Sequence, residues 1–107
     1  MAKKIKAIKL ADENVLSKIY LVRQKKVMLD YDLSELYDVE TKQLKRQVRR
    51  NLERFPDDFM FVLTTREYNS LRSQIGTLNR GQHSKYLPMA FTEQGVAMLS
   101  SVLNSQT

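Results

Sequence analysis

Seven residues within one short stretch have the types and spacing to grip an anionic polymer. In TKQLKRQVRRNLER, residues 41–54, stand Thr41, Lys42, Gln43, Lys45, Arg46, Arg49 and Arg50. Ammonium and guanidinium groups hold phosphate, while Gln and Thr side chains reach base edges. Projected as a helix at about 100° per residue, Leu44, Val48, Asn51, Leu52 and Phe55 gather on one side. Lys42, Arg46 and Arg49 lie close to the opposite side, with Lys45 and Arg50 flanking them. Positions 41–50 hold five cations and no acid. The pairs Lys42–Arg46, Lys45–Arg49 and Arg46–Arg50 are like charges four apart, each costing a few tenths of a kcal/mol. A helix that tolerates three such pairs suits an anionic partner. Charge alone also fits a solvated helix, with Glu53 four residues after Arg49 as a surface ion pair.

Other chemistries have little to work with. The chain has no cysteine and one histidine, His83, so thiolate zinc sites, paired-histidine catalysis and disulfides are excluded. No acidic loop of calcium-binding spacing occurs. The expectation is a protein that is not an enzyme, with no metal, no cofactor and no small-molecule substrate. His83 reads as a solvated loop residue, and Arg80 and Lys85 beside it as optional backbone contacts. Thr92, Glu93 and Gln94 read as an ordinary helix start rather than an anion site. Phe59, Phe61, Phe91 and the tyrosines read as core, because they form no exposed row among cations.

Charge is distributed in blocks. Residues 1–25 carry seven cations and two acids, +5; residues 26–40 one cation and five acids, −4; residues 41–54 six cations and one acid, +5. Such segregation within a net +6 is the footprint of a polyanion binder. No apolar run approaches the roughly 20 residues that span a bilayer. MAKKIKAIKL lacks the apolar centre of a secretory signal. A cytoplasmic protein with no membrane partner is expected.

The 107 residues, 42% hydrophobic, suit one domain with a real core. Residues 1–14 read as a flexible basic arm and 15–107 as the domain. DENVLSKI suggests a short helix. IYLV and KVML, separated by RQK, suggest a β-hairpin without the usual glycine turn. Asp30 or Asp32 is expected to cap a helix over 32–37. DVET breaks it, and the basic helix runs from 41 to 54, where FPDD stops it. Residues 59–63 read as a buried strand, and Thr64 with Glu67 as a capping box for a helix over Thr65–Ile75. Residues 76–85 are a polar loop. YLPMAF is extended, and Thr92 caps a last helix buried through Val96, Leu99, Val102 and Leu103. Thr107 ends the chain without a Gly or Pro stop, which reads as a cut from something longer. The fold class is therefore α+β: a helix-turn-helix with a small β-hairpin or sheet and a C-terminal helix.

DLSELYDVETKQLKRQV has helix-turn-helix spacing. Leu33, Leu36 and Tyr37 face inward from the first helix, and Asp38 takes the left-handed turn position where glycine is usual. Val39 is the buried turn residue, and Leu44, Val48 and Leu52 are the scaffold of the second helix. In such units early residues of the second helix meet base edges and later cations meet phosphate, so Thr41 to Arg46 are the base readers and Arg49 and Arg50 the phosphate contacts.

KVMLDYDLSELYDVETKQLKRQVRRNLERFPDDFMFVLT followed by YLPMAFTEQGVAMLSSVL resembles the KilA-N-type DNA-binding domains of phages and prophages. The nearest group is the one named after the N-terminal domain of a phage open-reading-frame-six protein. The resemblance covers roughly residues 15–104. It implies a bacterial phage or prophage regulator or antirepressor that binds double-stranded DNA, often as an N-terminal module ahead of another domain; apart from the resemblance, a homodimer and a repressor protein are candidate partners. The chain departs from the family with Asp38 and Gln24 where glycine is usual. The rival expectation is a protein–protein module that captures a repressor without contacting DNA.

Overall fold

Apolar residues alternate along four short strands, and the two resulting faces organise the molecule. The computed structural model describes residues 13–75 and 86–105. Most of the basic arm, together with Arg80, His83 and Lys85, lies outside the described residues. The elements in order are α1 (Glu13–Leu16, a single turn), β1 (Tyr20–Val22), β2 (Lys25–Leu29), α2 (Asp30–Tyr37), α3 (Thr41–Arg50), a 3-10 turn (Leu52–Arg54), β3 (Met60–Val62), α4 (Thr65–Ile75), β4 (Met89–Phe91) and α5 (Glu93–Asn104). The class is α+β, as expected.

The strands form one antiparallel sheet in the order β1-β2-β4-β3. Register puts Tyr20 opposite Val27, Met28 opposite Phe91, and Phe61 opposite Ala90. Side chains alternate across the pleat, so neighbours in register share a face. Val22, Val27, Leu29, Phe61 and Ala90 join Leu63 and, from α4, Tyr68 and Leu71. Met28, Met60, Met89 and Phe91 join Leu33 and Tyr37 of α2, Leu44 and Val48 of α3, and Val96, Leu99, Val102 and Leu103 of α5. The sheet is thus the middle of three layers, with α4 on one face and α2, α3 and α5 on the other.

Local signals explain most of the boundaries. Thr64 and Glu67 form the reciprocal capping box: the Thr64 N–H donates to Glu67 Oε1 at 2.8 Å and the Glu67 N–H to Thr64 Oγ1 at 3.1 Å. Thr92 Oγ1 accepts from the Gly95 N–H and donates to the Asp58 carbonyl at 2.7 Å, which starts α5 and ties it to the entry of β3. Gly95 is obligatory there, because a Cβ would lie 1.9 Å from the Phe59 carbonyl oxygen.

Several expectations are corrected. The hairpin turn is the two residues Arg23 and Gln24, not RQK, and both take the left-handed conformation with φ 54° and 65°. Two left-handed turn residues match strand twist, which is why glycine is usual there. Neither Asp30 nor Asp32 caps α2. The helix begins at Asp30, and its cap residue Leu29 offers no side-chain hydrogen bond. Both carboxylates turn inward instead. Asp30 Oδ2 accepts the Met89 N–H at 3.0 Å. Burial pushes the Asp32 carboxyl up to about 6, and its Oδ2 is buried without a hydrogen-bond partner. The basic helix ends at Arg50 rather than residue 54, and Leu52 is 53% exposed rather than scaffold. Asn51 leaves the helical region (φ −124°, ψ 36°), and the following 3-10 turn winds more tightly. That change of pitch swings Leu52 out while Phe55 is buried, its ring edge-on to Phe91 at 5.9 Å.

Candidate nucleic-acid interface

The junction between α2 and α3 fixes how the basic helix is presented. Asp38 adopts φ 58°, ψ 46°. The Val39 N–H reaches back to the Ser34 carbonyl at 2.9 Å and the Asp38 N–H to that of Glu35 at 3.2 Å. This is the Schellman pattern that ends a helix on a left-handed residue, with Asp in place of glycine. Val39 is partly buried against the core, and Glu40 accepts the first α3 bond, from the Leu44 N–H at 2.9 Å. Three residues, 38–40, therefore turn the chain from one helix into the next. Leu33, Leu44 and Val48 are fully buried, and Leu36 packs partly buried beside Tyr37.

The candidate site residues divide into three groups. Leu44 and Val48 hold α3 to the core, so Lys42, Gln43, Arg46, Arg49 and Arg50 are turned to solvent, and all five are exposed. Among the described residues none of the four cations in that set forms an ion pair. Glu53 does not meet Arg49, because the helix ends between them and the four-residue spacing no longer stacks the pair. Arg49 and Arg50 stand in the last turn, where cations offset the negative end of the helix dipole.

Thr41 and Lys45 face elsewhere. Ser34 Oγ donates to the Tyr31 carbonyl at 2.9 Å, so at the 2.7 Å contact between Ser34 Oγ and Thr41 Oγ1 the threonine is the donor. Thr41 thus fastens the start of α3 to α2. Lys45 Nζ lies 3.6 Å from Asp30 Oδ2, and its side chain is only 15% exposed. Burial raises the Asp30 carboxyl above the usual range, against the pull of the Met89 N–H and the Lys45 ammonium. A buried carboxylate that lost Lys45 would be left without its countercharge, so this lysine is held by the fold.

The aromatic ring of Tyr86 sits beside this pair, with Lys45 Nζ 5.6 Å from its centroid. Tyr86 is 69% exposed, so the expectation that the tyrosines are core fails for it, while Tyr37 and Tyr68 are buried. One signal was available in the sequence: among the tyrosines, Tyr86 directly follows the polar stretch 76–85.

Among the described residues no cluster of metal-ligating side chains occurs, and no helix is long and apolar enough to cross a membrane. A family model described as the ORF6N domain matches residues 17–102. Comparison with curated proteins and comparison with solved structures each give no match.

Proposed function

The chain belongs to the ORF6N domain family, and from that membership we propose that it binds duplex DNA through the outward face of α3, as a phage- or prophage-type regulator of the broader KilA-N kind working in the cytoplasm. One observation carries the reading: Lys42, Arg46, Arg49 and Arg50 share an exposed face with no acid paired to any of them among the described residues. Exposed cations left unpaired on one face of a rigidly seated helix are an electrostatic match for a phosphate backbone.

The roles follow from position. Lys42, Gln43 and Arg46 in the first turns face base edges in a major groove, where Gln can pair with adenine and Lys or Arg with guanine. Arg49 and Arg50 hold phosphate. Thr41 and Lys45 set the angle of the helix. The partner is double-stranded DNA, and the action is binding without catalysis.

In a backbone-directed complex, where all four cations meet phosphate, four neutralised phosphates give a slope of log K against log salt of about −3.6; with Lys42 and Arg46 on bases the two remaining contacts give about −1.8. Counting Lys45 as a fifth contact would give about −4.5. Anisotropy titrations of a labelled duplex across salt concentrations test this. A binding constant that does not change between low and physiological salt rules the reading out.

A further inference from the structure

Beyond the helix itself, we propose that Tyr86 is part of the DNA-contacting surface, its ring packing on the deoxyribose of the backbone strand that borders α3. The inference rests on the duplex-DNA reading of α3. Its own support is separate, in the placement and exposure of one aromatic side chain.

Tyr86 stands three residues before β4, far from α3 in sequence, yet the fold carries its ring to the flank of the basic helix. On that flank the ring meets Lys45. Lys45 is anchored to the buried Asp30 carboxylate, which is in turn anchored to the β4 backbone through the Met89 N–H. An ammonium over a ring face is attracted by the ring's negative quadrupole. The contact places the ring beside α3.

The neighbourhood is cationic. Lys45 lies three residues after Lys42 and four before Arg49, so both are its neighbours on the helix surface. A ring beside Lys45 therefore stands one helix neighbour away from those two exposed cations. Tyr is enriched where surfaces meet partners. A backbone strand drawn in by Arg49 presents sugar edges, which are apolar, next to its phosphates. Tyr contacts to sugar and phosphate position a protein on DNA without reading sequence.

The test compares wild type, Tyr86→Ala, Tyr86→Phe and Arg50→Ala on one labelled duplex across salt concentrations, with Tm and sedimentation as controls. Tyr86→Ala is expected to weaken binding about tenfold, with Tm held and the salt slope unchanged, because no charge is lost. Tyr86→Phe keeps the ring and is expected to keep wild-type affinity. Arg50→Ala, at a phosphate contact, is expected to lower the slope by about 0.9. If wild type binds and Tyr86→Ala binds equally well, the inference falls and the reading of α3 stands. If wild type does not bind duplex at all, both fall. Affinity losses that track a fall in Tm in both Tyr86 variants would overturn the inference. So would a Tyr86→Ala variant that loses only self-association, which assigns the ring to a second copy of the chain.

Discussion

The tip of the β1–β2 hairpin and the outward face of α3 are both rich in cations, and the fold uses them differently. At the hairpin, Arg23 makes two bonds to Glu67, at 2.7 and 3.0 Å, and lies 4.1 Å from the centroid of the Phe61 ring. Lys25 is 3.7 Å from Asp58. These charges clip the hairpin to α4 and to the segment before β3. On α3, four cations face solvent with no acid paired to them among the described residues. A block of positive charge in a sequence is therefore not yet a binding surface. What distinguishes the two regions is whether the acids were brought to the cations, and that depends on residues as distant as 23 and 67.

The sharpest way to break this comparison is charge reversal. Arg46→Glu combined with Arg49→Glu is expected to weaken duplex binding by at least about 100-fold while leaving Tm within a degree or two. Anisotropy and thermal melts on the same preparation decide it. A large fall in Tm would mean that these arginines support the fold as Arg23 does.

Arg23→Ala gives the converse. It is expected to cost about 1 kcal/mol of stability, a modest figure because the pair is partly exposed, and to leave DNA affinity and salt slope unchanged. Urea unfolding beside a binding titration measures both.

A smaller effect is the pH dependence of the same clip. Hydrogen bonding from Arg23 holds the Glu67 carboxyl down at about 2, against an ordinary value of 4.5. A lowered carboxylate contributes stability that is fully present above about 4.5 and is lost as pH falls through about 2. The stability gap between wild type and Arg23→Ala is therefore expected to shrink between pH 5 and pH 2.5, by under about 1 kcal/mol given the exposure of the pair. A gap independent of pH would assign the contribution of Arg23 to its stacking on Phe61.

The smallest expected effect is at the turn itself. Gln24 is held at φ 65°, a left-handed conformation that costs a side-chain-bearing residue about 1–2 kcal/mol. Gln24→Gly relieves this but adds freedom to the unfolded chain, for a net gain of about 0.5 kcal/mol. Unfolding midpoints compared at constant m-value would show it, with no change in DNA affinity.

Much of the frame was legible from the residues alone. Thr64 with Glu67 and Thr92 before an apolar helical face are local signals, satisfied within three or four residues, and both helices form where the pattern puts them. Leu33, Leu44 and Val48 were readable as core because helical periodicity is a property of the segment. The errors share a cause. Asp30 and Asp32 look like caps to anything that sees only their neighbours, but Asp30 serves the Met89 N–H 59 positions away. Leu52 continues the apolar stripe on paper, yet the chain changes pitch at Asn51 and turns it outward.

By itself the sequence determined an α+β domain, the seating of α3 by Leu44 and Val48, the left-handed turn at Asp38, and the absence of any cysteine or second histidine. These follow from composition and from periods of two and 3.6 residues, which act over short range. Only the tertiary structure decided which cations remain available. It locked Lys45 onto Asp30 and Arg23 onto Glu67, and it set the Tyr86 ring beside α3. Ion pairing and exposure are relations between distant residues in three dimensions, and no local spacing encodes them.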